Sequence, residues 1–174
     1  MNYKNIQGWF NYDFLFDRIV KQYPKGAFLE VGCWKGKSSN YFANILNKEN
    51  ELYCVDTWLG SSYNSEHNEL IDKLNKSLFE EFKSNMNGLK YTAIQKDSIT
   101  ASKDFKDNSL DFIFIDAGHL YEEVKEDIKA WLPKLKKGGT LAGHDYGNSE
   151  GVTKAVDEIF KNKKIEKNVW SLKS

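Results

Sequence analysis

Residues 28–39 limit the possible fold of this chain more than any other segment does. They begin as an apolar run that ends in Glu30 and Val31, and two glycines four residues apart, Gly32 and Gly36, follow. An apolar strand, a glycine turn and a helix start bring backbone N–H groups and the positive end of a helix dipole beside a ligand. A second apolar run ends in Asp56, 24 residues after Gly32. That is close to the roughly 20 residues between a nucleotide-binding turn and the carboxylate that binds a ribose. The pattern predicts a site for a nucleoside cofactor.

Composition narrows the class of protein. The length of 174 residues suits one domain, 1–174, and the 25 basic and 25 acidic residues cancel, so nucleic acid is not an expected partner. No apolar run approaches the roughly 20 residues of a membrane span, and the first residues lack a signal-peptide core. A cytoplasmic protein without a membrane partner is expected. Cys33 and Cys54 lie in or beside predicted strands, which favours reduced, packed thiols.

Strands and helices alternate along most of the chain. Residues 1–24 contain a predicted leading helix, 9–22, which Tyr23-Pro24 would end. Five strand-like runs follow, with helical stretches between most of them: 27–31, 52–55, 91–95, 110–115 and 140–142. This alternation predicts an α/β fold with a mainly parallel sheet.

Two segments lie outside this alternation. Residues 57–88, between the second and third predicted strands, are more than a minimal crossover connection needs. Within them, 68–86 has a helical pattern, and 58–67 is predicted to be a lid or substrate loop. Residues 164–174 alternate around a turn at Lys167-Asn168, which predicts a short hairpin at the sheet edge. An exposed face of the leading helix or of this hairpin is a candidate homodimer contact.

The glycine turn admits more than one interpretation. Its missing side chains would let the backbone approach a ligand, and Ser38 or Ser39 could cap the following helix. The residues Gly36-Lys37-Ser38 match the end of a Walker A loop, but Val31 occupies the position of its first glycine. A phosphate-handling protein with Lys37 on the phosphates is therefore an alternative, and a plain strand-to-helix turn is another.

Acids follow the first three predicted strands. Burying an unpaired carboxylate costs several kcal/mol, so an acid at the end of an apolar strand is expected to face a partner. Asp56 is the candidate for the ribose hydroxyls, and Glu30 for the cationic part of the cofactor. Asp97-Ser98 offers an acceptor oxygen for an exocyclic base amine. For Glu30 or Asp56 alone, helix capping or a surface salt bridge explains the pattern equally well, but two acids at successive strand ends favour a site.

The fourth and fifth strands end in residues suited to catalysis. Asp116 and His119 follow the fourth strand, and His144 and Asp145 follow the fifth. Adjacent strands lie about 4.8 Å apart, so these side chains can converge. Asp116, His144 and Asp145 could hold a divalent ion that lowers the pKa of a bound hydroxyl. Alternatively, His119 or His144 removes the proton directly as a general base.

Together these residues resemble the class I S-adenosylmethionine-dependent methyltransferases, in particular the small-molecule O-methyltransferase-like branch with a Glu-Val-Gly-x-Trp-x-Gly turn. The likeness extends from Gly8-Trp9 to about Phe160 and depends on these segments: 28–38, 55–58, 96–98, 112–119, 132–139, 144–145 and 151–152. The resemblance implies a Rossmann-like three-layer sandwich with an antiparallel C-terminal edge strand. It also implies that S-adenosylmethionine lies over the carboxyl ends of the first three strands.

The resemblance assigns roles to individual residues. The implied cofactor-binding residues are Glu30, Gly32, Cys33, Gly36, Ser38, Asp56, Thr57, Trp58, Asp97, Ser98 and Asp116. The implied reaction is methyl transfer to an oxygen of a small acceptor, a sugar or another hydroxylated metabolite, with Asp116, His119, His144 and Asp145 as catalytic residues. A non-catalytic cofactor-binding module is the alternative, because binding residues alone do not ensure turnover.

The metal-binding pattern departs from the family at one position. In metal-dependent members, the acid that ends the fourth strand and two consecutive residues that end the fifth bind magnesium. Asp116 and Asp145 match, but His144 stands where an aspartate is usual. Magnesium prefers oxygen ligands, so a different metal and a metal-free histidine base are both alternatives.

Overall fold

The computed structural model describes residues 2–60 and 65–174, within which seven strands form one sheet. The strands are β1 (Ala27–Val31), β2 (Glu51–Asp56), β3 (Thr92–Gln95), β4 (Leu110–Ile115), β5 (Leu135–Gly143), β6 (Lys164–Glu166) and β7 (Val169–Lys173). Their order is β3-β2-β1-β4-β5-β7-β6. Strands β1 to β5 pair in parallel, and β7 is antiparallel to both β5 and β6. This confirms the mainly parallel sheet and its antiparallel C-terminal edge.

Helices cover both faces of the sheet, because successive strand side chains point to opposite sides. One apolar cluster joins Phe28 and Phe112 to helices on one face, and a second joins Leu29 and Ile113 to helices on the other. The first face carries α1 (Asp13–Gln22), α2 (Lys37–Ile45) and α4 (Leu78–Asn85); the second carries α5 (Ser98–Ser102), α6 (Tyr121–Trp131) and α7 (Glu150–Ile159). The three-layer α/β sandwich is therefore confirmed.

The leading helix begins later than the sequence predicts. Helix α1 starts at Asp13 rather than at residue 9, and Tyr12 is its N-cap without a side-chain capping bond. The Tyr12 ring is buried and lies 4.6 Å from the Phe114 ring, centroid to centroid. We infer that burial of Tyr12 against the sheet, rather than helical periodicity, determines where this helix starts.

The segment between β2 and β3 is not one long helix. It contains α3 (Ser65–Asp72) and α4, and a capping box between Ser77 and Glu80 starts α4. Of the predicted lid 58–67, residues 61–64 lie outside the described residues and residues 65–67 belong to α3. Trp58 is buried against the rings of Phe79 and Phe82, so its aromatic ring packs in the core.

Strand β5 is longer than predicted. It begins at Leu135 rather than at residue 140, and its pairing with β4 shifts register between Leu110 and Phe112. The predicted C-terminal hairpin is confirmed as β6 and β7. Cys33 and Cys54 are free and buried, as expected.

None of the helices within residues 2–60 and 65–174 is long and apolar enough to cross a membrane.

Candidate active site

A cavity of about 360 Å³ opens at the carboxyl ends of β1, β2, β3 and β4. Its volume lies within the roughly 300–1,000 Å³ of small-molecule sites. Six of the predicted cofactor-binding residues line it: Gly32, Asp56, Thr57, Asp97, Ser98 and Asp116. The structure thus brings together residues from the ends of four strands.

A second cavity, of about 420 Å³, adjoins the first. Both are lined by Gly32, Trp34, Asp116 and Ala117. The second cavity is also lined by the predicted residues Cys33, Ser38, His119, His144 and Asp145. The predicted cofactor residues Glu30, Gly36 and Trp58 line neither cavity. A ligand in the first cavity would therefore lie next to the histidine and aspartate side chains of the second.

Gly32 has a structural role that the sequence did not reveal. Its φ is +88°, and a Cβ at this position would lie 2.0 Å from the carbonyl oxygen of Asp116. The missing side chain therefore lets β1 approach the backbone that follows β4, in addition to any approach to a ligand. Gly36 is comparable, because its φ is +84° and its Cβ would lie 2.9 Å from the Phe82 ring.

The prediction that Ser38 or Ser39 caps α2 is wrong. Gly36 is the N-cap, and the two serines lie inside the first turn, where their hydroxyls donate to Glu30 Oε1 and Oε2 at 2.5 Å each. Glu30 is 0% exposed, and burial raises its pKa to about 7 although both serine hydrogen bonds lower it. Glu30 joins β1 to α2, and its role as a cofactor ligand stays a prediction.

Asp56 shapes the turn and also faces the first cavity. Its Oδ2 accepts a hydrogen bond from the Trp34 N–H at 2.8 Å, and its Oδ1 accepts one from the Trp58 N–H at 2.7 Å. Burial raises the pKa of Asp56, and these backbone hydrogen bonds oppose that effect. Asp56 lines the first cavity, where a carboxylate oxygen can accept a hydrogen bond from a ribose hydroxyl.

The first cavity is also lined by Asp127, an acid that the sequence pattern did not indicate. Asp97 caps α5 by accepting from the Thr100 N–H, and the Ser98 hydroxyl accepts from Trp131 Nε1 at 2.8 Å. Asp127 of α6 is buried beside Ser98, and burial raises its pKa to about 6. Asp127 interrupts the apolar stripe of α6. An acid within such a stripe is the sequence feature from which this site residue could have been predicted.

Asp116, His144 and Asp145 form a compact cluster in the second cavity. Each offers one ligand atom, and these three atoms all lie within 4.8 Å of one another. His144 Nδ1 is 3.6 Å from Asp116 Oδ1 and 3.4 Å from Asp145 Oδ2. His119 Nε2 lies 3.1 Å from Asp145 Oδ2, so all four predicted catalytic residues meet at one place.

The carboxylates set the charge of the two histidines. Burial lowers the pKa of His144, but Asp116 and Asp145 outweigh it and raise the pKa to about 10. The hydrogen bond with Asp145 also raises the pKa of His119. The pKa of Asp145 lies well below its usual range, because both histidines outweigh its burial. Both carboxylates therefore favour the protonated form of His144, in which neither ring nitrogen has a free lone pair.

Residues far away in the sequence hold the cluster in place. The Tyr12 hydroxyl donates to Asp116 Oδ2 at 3.0 Å. Asn11 Oδ1 lies 3.2 Å and Asn168 Nδ2 lies 2.8 Å from His144 Nε2. The sequence carried no signal for these contacts, because they come from the segment before α1 and from the turn between β6 and β7.

The sequence of this chain matches a known protein family and is similar to a curated protein. The family described as a methyltransferase domain matches residues 29–146, more than half of the chain. A curated relative, the uncharacterized protein y4gI of Sinorhizobium fredii, is 28% identical over 121 residues, which cover 67% of this chain and 13% of that protein. The chain thus spans only a small part of the curated relative that it matches.

Solved structures share the fold. A putative caffeoyl-CoA O-methyltransferase from Staphylococcus aureus superposes with a TM-score of 0.68 at 15% identity, covering 98% of this chain and 86% of that one. The MycE methyltransferase of the mycinamycin biosynthetic pathway, solved with Mg and SAH, gives 0.62 at 15% identity, covering 97% and 51%. The Rossmann-like methyltransferase fold is therefore confirmed.

Proposed function

The chain belongs to the methyltransferase-domain family, and we propose that it transfers the methyl group of S-adenosylmethionine to an oxygen of a small hydroxylated acceptor. The observation that carries this proposal is the pair of adjoining cavities. They meet at Gly32 and Asp116, and the acceptor side contains the cluster of Asp116, His144 and Asp145.

The first cavity suits S-adenosylmethionine by the chemistry of its donor set. Asp56 lines this cavity with a carboxylate that can accept from the ribose hydroxyls, and Asp97, Ser98 and Asp127 offer oxygens near one another for an exocyclic amine. The adjoining second cavity has room for a small acceptor such as a sugar, whereas a polymer would need an open groove. A nucleic-acid or membrane partner is not part of this proposal.

The chain's own residues align the acceptor. In the reaction the C–S bond of the sulfonium breaks as the new C–O bond forms, which leaves S-adenosylhomocysteine, and the proton of the acceptor hydroxyl passes to water. Carboxylate and imidazole groups fit a divalent ion, so Asp116, His144 and Asp145 would hold one. Such an ion, when bound, lowers the pKa of the acceptor hydroxyl. Tyr12 orients Asp116 for this task.

The alternatives have less support. A phosphate-handling protein would place Lys37 on its ligand, but Lys37 Nζ donates to the Gly8 carbonyl at 2.9 Å and lies at the second cavity. The family match also opposes that alternative. A non-catalytic cofactor-binding module would keep the first cavity without using the cluster.

Calorimetric titration with S-adenosylmethionine and with ATP tests the cofactor. We expect binding of S-adenosylmethionine alone, and at least a tenfold loss of affinity in Asp56→Asn, because an amide cannot accept at both of its ends. The matched control Asp107→Asn removes an exposed carboxylate that pairs with Lys134 and should bind as the wild type does. Binding of ATP without S-adenosylmethionine would overturn the proposal.

A further inference from the structure

The contacts within the cluster are too long for good hydrogen bonds but suit a shared ion. His144 Nδ1 lies 3.4 Å from Asp145 Oδ2 and 3.6 Å from Asp116 Oδ1. Hydrogen bonds from N–H to oxygen usually measure about 2.7–3.2 Å. Two ligands of one ion, each about 2.1 Å from it, lie roughly 3.0–3.4 Å apart. The 3.4 Å separation therefore matches two ligands of one cation, and the 3.6 Å separation exceeds that range by about 0.2 Å.

The second ring nitrogen of His144 faces two asparagine side chains. Asn11 Oδ1 lies 3.2 Å from Nε2 and can only accept a hydrogen bond, so it favours a proton on Nε2. Asn168 Nδ2 lies 2.8 Å from the same atom, so a proton on Nε2 requires the Asn168 amide to turn by half a rotation, which places its oxygen there. With its proton on Nε2, a neutral imidazole has its lone pair on Nδ1, which faces both carboxylates.

We propose that Asp116, His144 and Asp145 bind a divalent transition-metal ion such as Mn²⁺, Fe²⁺, Co²⁺ or Zn²⁺ in preference to Mg²⁺, with Asn11 and Asn168 as positioning residues for His144. Imidazole nitrogen is a good ligand for these ions, whereas Mg²⁺ strongly prefers oxygen. The role of the ion in activating the acceptor rests on the proposed function, but binding of the ion can be measured without any methyl transfer.

His119 contacts Asp145, one of the three proposed ligands, without being a ligand itself. Its Nε2 lies 3.1 Å from Asp145 Oδ2 and orients that carboxylate. Partners of this kind typically contribute about 10- to 100-fold in metal affinity. The neutral imidazole of His144 also leaves the cluster with one negative charge fewer than three carboxylates would have, which disfavours a hard ion further.

Titration of the metal-free full chain with Mn²⁺ and with Mg²⁺, followed by pulsed EPR of the bound Mn²⁺, tests the inference. We expect tighter binding of Mn²⁺ and a coupling between the Mn²⁺ electron spin and an imidazole nitrogen. In His144→Asp that coupling should vanish and the preference for Mn²⁺ over Mg²⁺ should fall at least tenfold. Asn168→Ala should weaken Mn²⁺ binding about tenfold. Asn162→Ala, at an exposed loop, is the matched control and should bind as the wild type does.

Two results would overturn the inference: no Mn²⁺ binding by the folded wild-type chain, or bound Mn²⁺ without nitrogen coupling. Circular dichroism establishes that each variant is folded. If methyl transfer persists in the presence of a chelator and no Mn²⁺ binds, the metal-binding inference is wrong and the proposed function is retained. If Mn²⁺ binds with nitrogen coupling but no methylated product forms, the metal-binding inference is retained and the proposed function is wrong.

Discussion

At the scale of single residues, three acids at strand ends have different surroundings. Both oxygens of Glu30 accept hydrogen bonds from serines inside α2, whereas those of Asp56 accept from backbone N–H groups beside the first cavity. Asp116 lines both cavities and accepts from Tyr12. Glu30 is therefore the acid whose titration should act on stability rather than on ligand binding.

Glu30→Gln should change how stability depends on pH. The pKa of Glu30 is about 7 in the folded chain against an ordinary value of 4.5, because burial disfavours the charged form. A raised pKa means that the folded chain holds the proton more tightly, so this contribution to stability is complete below pH 4.5 and is lost as pH rises through 7. Its upper bound is about 3 kcal/mol.

Urea unfolding of wild type and Glu30→Gln at several pH values measures the effect. Between pH 4.5 and pH 8 the unfolding free energy of the wild type should fall relative to that of the variant by up to about 3 kcal/mol. Parallel curves for the two proteins would contradict the assignment. Groups such as Asp127 titrate in both proteins and cancel in the difference.

The sequence predicted the residues that end parallel strands and missed those that reach the site from elsewhere. Asp56, Asp97 and Asp116 could be found because the carboxyl ends of parallel strands meet at one edge. Asn11 and Asn168 could not, because a lone amide in an irregular segment has no periodic pattern. Their contacts with His144 depend on how two distant segments pack.

At the scale of elements, the second cavity is completed by segments outside the family match. That match covers residues 29–146, whereas Asn11 and Tyr12 precede α1 and Asn168 lies between β6 and β7. The apolar strands β1 and β4 were predicted with correct bounds, since buried parallel strands read as continuous apolar runs. The break between α3 and α4 was missed, because helical periodicity continued across it.

Tyr12→Phe tests how the leading segment acts on the cluster. The variant keeps the buried ring but loses the hydrogen bond to Asp116 Oδ2. Turnover should fall about tenfold, as is typical for partners that orient a functional side chain. The affinity for S-adenosylmethionine should change little, and the free energy of unfolding should fall by about 1 kcal/mol.

Tyr53→Phe is the matched control for this experiment. It also removes a tyrosine hydroxyl that donates to a carboxylate, that of Glu51, but at the amino end of β2 and away from both cavities. Steady-state kinetics should separate the two variants. Equal turnover in Tyr12→Phe and Tyr53→Phe would show that the Tyr12 hydroxyl does not orient Asp116.

At the scale of the whole molecule, both cavities lie at one edge of a single sheet. Their walls come from β1, β2 and β4 and from helices on both faces, so a ligand there should stabilise the entire fold. Ligand at 100 times its dissociation constant adds about 2.7 kcal/mol to the stability. For a domain of this size that corresponds to a rise in Tm of roughly 5–10 °C.

Thermal denaturation with S-adenosylhomocysteine checks this stabilisation. The rise in Tm should follow the measured dissociation constant in the wild type and should be much smaller in Asp56→Asn at the same ligand concentration. ATP should give no comparable rise. An equal rise with ATP would indicate a general nucleotide site instead.

Methyl transfer to an acceptor oxygen is tested most directly with S-adenosylmethionine that carries a ¹³C-labelled methyl group. The full chain is incubated with a panel of sugars and other small hydroxylated compounds, with Mn²⁺ or Mg²⁺ present, and the products are analysed by NMR. We predict a labelled methyl group bonded to an acceptor oxygen, formed by the wild type and strongly reduced in Asp116→Asn. Cofactor binding without any labelled product across the panel would contradict it and favour a non-catalytic binding module.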